Sequence, residues 1–399
     1  MSRHRTGASR IRQTIGGFVA DFVELRQDLH RHPELAFQEQ RTSDTIAALL
    51  DSWGYAVTRG IGGTGLVATL KRGNGPKRLG IRADMDALPI EEETGLPHAS
   101  LTAGAMHACG HDGHTAILLA AARYLAEDGR FSGTLNLVFQ PAEEIGQGAR
   151  QMIGDGLFER FPCDAVFGLH NWPGVPAGRF GFVAGPAMAS VDWARIRIRG
   201  RGGHGAEPHQ AVDPVVAAAH VVTGLQTIVS RNAAPLDLAV VTIGSIHGGG
   251  AANVIPDTVD LTLTTRAFRP EIRTLLERRI KTIATLQAES FGAIAEIEWK
   301  DGFPSVVNHA VETEIARAAA VRALGAAAVE ADFAPRTASE DFAFMLEARP
   351  GSYLFVGNGD SAPLHSPRYD FNDALIEPAA TYWATLAETF LTSPEETHG

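Results

Sequence analysis

Apolar and polar residues recur along the chain with two different periods. Apolar positions return at helical spacing in some segments, whereas shorter runs are apolar throughout, as in strands buried on both faces of a sheet. The helical pattern covers 18–30, 43–53 and 113–125, and the strand-like runs are 65–70, 78–83, 135–139, 165–169 and 353–357. Strands that alternate with helices predict an α/β fold with a mixed sheet whose edge loops collect functional residues.

The pattern changes near Gly185-Pro186, where a second domain is expected to begin. Residues 193–199 alternate apolar with polar, which is typical of a strand with one face in water. Helices at 214–228 and 270–290 and strands at 238–243, 258–265 and 294–299 are then predicted. This βαββαβ order predicts a small α+β domain with helices on an antiparallel sheet. We expect it to span 187–301 and to interrupt a first domain formed by 1–186 and 302–399.

Candidate metal ligands are concentrated in two short segments. The first, Met106–His114, contains Cys109 and His111 two residues apart, and the second ends in Glu143 and Glu144. The buried strand that includes the run 135–139 is expected to end at Glu143. Cysteine sulfur, histidine nitrogen and glutamate oxygen together suit Zn, Mn, Co or Ni rather than Mg or Ca. Because neighbouring side chains at a strand end point in different directions, one acid can face the metal while the other faces a substrate.

Two later histidines occupy similar positions. His170 follows the strand-like run 165–169, and His365 follows the run 353–357. Metal-binding and catalytic groups collect at strand ends in α/β domains, so we treat both histidines as further candidate ligands.

Composition narrows the class of protein. A chain of 399 residues with 45% hydrophobic content exceeds the usual size of one domain. Its formal charge of -11 argues against nucleic acid or an anionic membrane as a partner. Two cysteines leave no disulfide framework, and no apolar run is long enough for a signal peptide or a membrane helix. We therefore expect a cytoplasmic enzyme.

Several motifs occur in order over nearly the whole chain. They are 82–89 (RADMDALP), 109–114 (CGHDGH), 139–144 (FQPAEE), 168–173 (GLHNWP), 202–208 (GGHGAEP) and 364–367 (LHSP). Together they resemble peptidase family M20, and more narrowly its subfamily of aminoacylases, hippurate hydrolases and plant auxin-conjugate hydrolases.

The resemblance implies a site for two divalent metal ions. The implied ligands are Cys109, His111, Glu144, His170 and His365, and the implied general base is Glu143. This chain has Asp84 where most M20 peptidases have a ligand histidine, and Cys109 near their bridging aspartate, which is the pattern of the narrower subfamily. Supporting roles are open for the remaining polar residues of these motifs: orientation of ligands or a structural turn for Asp86 and Asp112, and ligand support or packing for His107 and His114.

The resemblance also implies that the inserted domain is a lid or dimerisation domain. His204 is then the histidine that stabilises the oxyanion, in cis or from a second subunit, and a homodimer or dimer-based oligomer is expected. Asn253 and Arg266 are candidates for holding the free carboxylate of the substrate. A turn residue and a solvated sheet residue are the structural alternatives for these two.

These roles predict a metal-dependent amidohydrolase that cleaves N-acyl amino acids. A dipeptidase or carboxypeptidase of the same family is the nearest alternative, and a metal-binding protein without turnover is the alternative from another class. The string Gly200–Gly205 matches GxGxxG, but the strand before it carries alternating arginines, and no acid follows at the position of a ribose ligand. A nucleotide-dependent oxidoreductase is therefore disfavoured.

Overall fold

The computed structural model describes residues 7–392. Its helices are α1 (Gly7–Gly16), α2 (Val19–Arg31), α3 (Gln40–Ser52), α4 (His111–Glu127), α5 (Gly148–Gly154), α6 (Leu157–Arg160), α7 (Pro214–Thr227), α8 (Pro270–Ser290), α9 (Ala310–Leu324), α10 (Ala343–Ala348) and α11 (Ile376–Leu391). The strands are β1 (Ala56–Arg59), β2 (Leu66–Arg72), β3 (Arg78–Asp84), β4 (Gly133–Gln140), β5 (Ala165–Pro173), β6 (Phe180–Gly181), β7 (Gly185–Met188), β8 (Ser190–Arg199), β9 (Gly203–His204), β10 (Ala239–Gly248), β11 (Val254–Ile255), β12 (Thr258–Ala267), β13 (Ile294–Asp301), β14 (Val306–Asn308) and β15 (Gly351–Gly359).

The chain divides into two compact units. Of the described residues, the first contains those up to Gly185, the segment Val307–Ala334 and those from Asp341 onward. The second contains Pro186–Val306 and Pro335–Glu340. The outer ends of the predicted first domain, 1–6 and 393–399, lie outside the described residues.

A seven-stranded mixed sheet forms the centre of the first unit. Its strand order is β1-β2-β4-β3-β5-β15-β6, in which β4, β3, β5 and β15 are parallel and the outer strands are antiparallel to their neighbours. The parallel strands are buried at successive residues, so both faces of the sheet are covered. The α/β fold with a mixed sheet that the sequence predicts is confirmed.

Helix α4 is buried on almost every side. It packs against α2, α11 and β3, and apolar residues such as Ile117, Leu118 and Leu119 have no exposed surface. A helix that is apolar all round lies in the core of a large domain. Neither α4 nor any other helix within 7–392 combines the length and the hydropathy that a membrane span requires.

The parallel strands bring the predicted ligands to one edge of the sheet. Strands β3, β4, β5 and β15 end at Asp84, Gln140, Pro173 and Gly359, so their carboxyl ends lie on the same side. The strand expected to run to Glu143 ends earlier because Pro141 has no N–H for the ladder. Ala142 then adopts a left-handed conformation with φ of 51°.

The second unit is a four-stranded antiparallel sheet covered by two helices. The strand order is β10-β12-β8-β13, and α7 and α8 pack on one face. The alternation predicted for 193–199 is present, since Ala194, Ile196 and Ile198 are buried beneath the helices. Arginines at the intervening positions occupy the other face. Its role as a lid or dimerisation domain stays a prediction.

The complete burial of α4 predicts a large cost for truncating its core side chains. We expect Leu119→Ala to lower the free energy of unfolding by about 2–5 kcal/mol, because a cavity remains beside the sheet. Urea unfolding followed by circular dichroism measures this change. Val311→Ala in α9, where the side chain is 68% exposed, is the control and should change stability by about 0.5 kcal/mol or less. Equal effects would contradict the described packing.

Candidate metal centre

Cys109 and His111 lie at the amino end of α4, on either side of a glycine that the turn requires. Gly110 has φ of 88°, a left-handed conformation in which a side chain is strained. A Cβ atom there would overlap the amide of Asn171 and lie 2.6 Å from the hydroxyl of Tyr369. The tight turn therefore directs the Cys109 and His111 side chains into one buried region.

The ring of His111 is oriented by Asp86. Its Nδ1 lies 3.0 Å from the Asp86 backbone carbonyl and 3.2 Å from Oδ1 of the same residue, so Nδ1 keeps its proton when the ring loses one on binding a metal. The other nitrogen, Nε2, is buried and has no hydrogen-bond partner. It lies 3.8 Å from Oε1 of Glu144, which is likewise buried and without a partner.

His170 faces Cys109 from the end of β5. The Nδ1 of His170 lies 2.6 Å from the Asn171 carbonyl, which leaves the Nε2 lone pair 3.4 Å from the Cys109 sulfur. Burial lowers the pKa of His170 well below its ordinary value, so the ring is neutral. A neutral imidazole with a free Nε2 is the form that ligates a metal.

Glu144 and His365 complete the cluster. The Glu144 backbone N–H donates to Asp86 Oδ2 at 3.0 Å, and its Oε2 lies 3.5 Å from Nε2 of His365. His365 has φ of 64°, and its N–H donates to the Ala108 carbonyl at 2.8 Å. The five predicted ligands thus lie in overlapping groups, whose ligand atoms are within 4.8 Å of one another: Cys109 with His111 and His170, Cys109 with Glu144 and His365, and His111 with Glu143 and Glu144.

Glu143 belongs to the cluster but takes a different position from Glu144. It is 7% exposed, and its Oε1 accepts a hydrogen bond of 3.4 Å from the Asp341 N–H. The preceding left-handed residue, Ala142, is held by buried Glu39, whose Oε1 accepts the Ala142 N–H at 3.0 Å. Glu39 is remote in sequence from the motifs, and no local pattern identifies it as part of this turn.

The electrostatics of the cluster favour a bound cation. Burial raises the pKa of the Cys109 thiol well above its usual range, and Glu144 and Glu143 raise it further. Burial also raises the pKa of Glu144. At His111 burial favours a lower pKa, but Asp84, Asp86 and Glu144 together raise it to about 10. Acidic groups that resist ionisation beside unpartnered nitrogen and oxygen atoms fit a divalent metal ion, which supplies the missing positive charge.

Most of the other polar residues in the motifs form hydrogen bonds with residues that are not among the five predicted ligands. Both nitrogens of His114 are occupied, Nδ1 by Asp84 at 2.6 Å and Nε2 by the Asn171 N–H at 3.0 Å. Asp84 is also paired with Arg82 at 2.6 Å. Asp112 contacts His30 at 2.8 Å rather than His111. His107 is buried, and neither of its ring nitrogens has a hydrogen-bond partner; nothing in the structure gives it a role.

The second unit brings His204 and Asn253 together. His204 in β9 pairs with Val254 in β11, and the Asn253 carbonyl accepts the Gly205 N–H at 2.7 Å. Nδ1 of His204 accepts the Ala206 N–H at 3.1 Å, so the neutral ring presents an Nε2–H donor. Arg266 lies on β12 in the other sheet, where its guanidinium donates to the Thr265 carbonyl at 2.8 Å.

Comparisons with known proteins identify a matching family and similar hydrolases. The profile of Peptidase family M20/M25/M40 matches residues 80–389. The hippurate hydrolase of Campylobacter jejuni is 44% identical over 93% of this chain and 97% of its own. The N-acetyl-L-cysteine deacetylase of Bacillus subtilis is 40% identical over 94% and 89%. The Bacillus subtilis protein YXEP, described as a dinuclear metal binding peptidase, has a crystal structure with a TM-score of 0.81 and 36% identity over 94% and 99% of the two chains.

The turn at Gly110 predicts that even a methyl group there disrupts the cluster. We expect Gly110→Ala to lower the divalent metal content of the purified protein severely, because the new Cβ displaces the loop that carries Cys109 and His111. Gly54→Ala is the control, since Gly54 has φ of 82° but an open surrounding. Elemental analysis compares the two variants. Equal metal content in both would mean that backbone strain alone, without displacement of the ligands, describes the change at Gly110.

Proposed function

Because the chain belongs to peptidase family M20/M25/M40 and is a metal-dependent amide hydrolase, we propose that it cleaves N-acyl amino acids. The products are a carboxylic acid and a free amino acid. The observation that carries the proposal is the additional carboxylate of Glu143, which lies in the same cluster as the five candidate metal ligands. A purely structural site has no use for such an acid. The names of the hippurate and N-acetyl-L-cysteine hydrolases support an acyl amino acid as substrate.

Cys109, His111, Glu144, His170 and His365 would hold two divalent ions, chosen from Zn, Mn, Co and Ni. Bound there, the ions lower the pKa of water and polarise the amide carbonyl. Neighbouring residues already orient the candidate ligands. Asp86 and the Asn171 carbonyl hold His111 and His170 with Nε2 directed into the cluster. The surrounding burial excludes bulk water and strengthens the electrostatic interactions.

Glu143 would act as the general base. It accepts the proton of the attacking water and later delivers it to the nitrogen of the leaving amine. Its position in the turn after β4 is fixed from two sides, by Glu39 through Ala142 and by the N–H of Asp341. A held carboxylate shuttles a proton between two nearby sites without moving the backbone.

The second unit would contribute recognition and charge stabilisation. The Nε2–H of His204 is suited to donate to the oxyanion of the tetrahedral intermediate, in cis or from another subunit. Asn253 and Arg266 would bind the substrate carboxylate. Within 7–392 the Arg266 guanidinium forms hydrogen bonds to Thr264 and Thr265 and no ion pair, so its charge is available to an anion. We further propose that this unit, 187–301 by the sequence prediction, is the lid and dimerisation domain of a cytoplasmic homodimer or dimer-based oligomer.

A substrate panel tests the reaction class. Metal-stripped protein is reloaded separately with Zn, Mn, Co or Ni and offered hippurate, N-acetyl amino acids and dipeptides. We expect free amino acid from the N-acyl compounds only in the metal-loaded samples. Cleavage confined to dipeptides would replace the proposal with a dipeptidase. Stoichiometric metal binding without turnover of any compound would favour a binding protein.

Substitutions of the two adjacent glutamates should have different effects. We expect Glu143→Gln to lower kcat by about 10²–10⁴-fold with metal content retained, because only the proton acceptor is lost. Glu144→Gln should instead weaken metal binding, since it removes a ligand charge from the cluster. Steady-state kinetics and elemental analysis on both proteins provide the comparison. Metal loss in Glu143→Gln with full occupancy in Glu144→Gln would reverse the assigned roles.

A further inference from the structure

Asn171 connects the segments that carry the candidate ligands. It follows His170 in β5 and has no exposed surface. Its Nδ2 donates to the Cys109 carbonyl at 2.7 Å, its carbonyl accepts from His170 Nδ1 at 2.6 Å, and its Oδ1 accepts from the Tyr369 hydroxyl at 2.6 Å. One side chain and its own peptide group therefore reach the Cys109 loop, the end of β5 and the segment that follows His365.

The direction of each hydrogen bond follows from Asn171 itself. Its backbone N–H is only a donor, so His114 Nε2 at 3.0 Å must accept, and the His114 proton lies on Nδ1. That proton is donated to Asp84 at 2.6 Å, and Asp84 is held by Arg82. His114 is consequently a neutral acceptor with a fixed orientation. Its Nε2, 3.1 Å from Asn171 Nδ2, also fixes which end of the amide faces Cys109.

We propose that Asn171 is a positioning residue that sets the metal-binding geometry of Cys109 and His170, with His114 as its support. The inference rests on the proposed function only in requiring that the cluster binds metal. Asn171 offers no atom to the metal, since its polar groups are taken by Cys109, His170, His114 and Tyr369. It acts by holding the peptide of one ligand and the ring of another.

The space around Asn171 supports a positioning role. The amide fills the volume where a Cβ at Gly110 would lie, so the turn between Cys109 and His111 is built directly on it. Loss of the amide leaves both a cavity under this turn and a Cys109 carbonyl without its Nδ2 donor. Loss of a residue that hydrogen-bonds to a metal ligand typically lowers metal affinity by about 10–100-fold.

The test uses cobalt binding to the metal-free full chain. Asn171→Asp preserves shape but places an oxygen against the Cys109 carbonyl and the His114 lone pair. We expect its affinity for Co²⁺ to fall about 10–100-fold and the near-ultraviolet charge-transfer band from the Cys109 thiolate to cobalt to weaken or shift. The control is Asn136→Asp in β4, where Asn136 is 1% exposed and its Nδ2 bonds Pro162 and Cys163 rather than the cluster. The control should bind cobalt like the parent protein.

A second variant keeps the test independent of folding. Tyr369→Phe retains Asn171 and removes only the hydroxyl that fixes Oδ1, so we expect roughly a 2–10-fold loss of Co²⁺ affinity. Thermal unfolding by circular dichroism shows which variants are folded. Parent-like affinity and spectrum in folded Asn171→Asp, or in Tyr369→Phe if Asn171→Asp does not fold, would overturn the inference. So would equal losses in Asn171→Asp and Asn136→Asp.

The readout separates this inference from the proposed function. A parent protein that shows the cobalt–thiolate band but hydrolyses none of the panel compounds would refute the proposed reaction and leave the role of Asn171 intact. A parent protein that binds cobalt without any thiolate band would remove Cys109 from the ligands and overturn the inference, whatever the protein hydrolyses.

Discussion

The candidate metal centre depends on acidic groups that are buried together at one edge of the sheet. Cys109, Glu143 and Glu144 lie together with little exposure to solvent, and burial raises the pKa of both Cys109 and Glu144. Such groups are costly to ionise without a nearby positive charge. A divalent cation would remove that cost, and the polar groups around the cluster hold the candidate ligands in place.

The surrounding hydrogen bonds explain how an imidazole Nε2 is directed into the cluster from each side. His111 and His170 both place Nδ1 against an oxygen, one from Asp86 and one from Asn171, and both therefore direct Nε2 inward. His114 is also an imidazole, but neither of its nitrogens is left for a metal. Its two nitrogens are hydrogen-bonded to Asp84 and Asn171, so in the proposed site it supports the candidate ligands.

The long periodic segments were predictable, and the supporting contacts were not. Helix α4, the buried strands and the covered face of the second unit follow from local hydrophobic period, and the structure confirms the α/β fold. The motifs pointed to each candidate ligand. Glu39 lies outside the motifs, and Asn171 lies inside one of them without an assigned role. Their contacts are with residues about 60 to 100 positions away in the chain, which no local pattern reveals. The end of β4 at Gln140 was also missed, since Pro141 and the left-handed Ala142 override the apolar run.

The sequence by itself determined the types of the candidate ligands, the alternation of strands and helices, and the likeness to a family, because residue type and local period can be read from the chain. Only the tertiary structure decided the tautomers of His111, His114 and His170, the separation of Glu143 from Glu144, and the place of Asn171 beneath Gly110. The physical reason is that a proton position or a ligand direction is set by the partner atom across the fold. Such a partner is a neighbour in space and not in sequence.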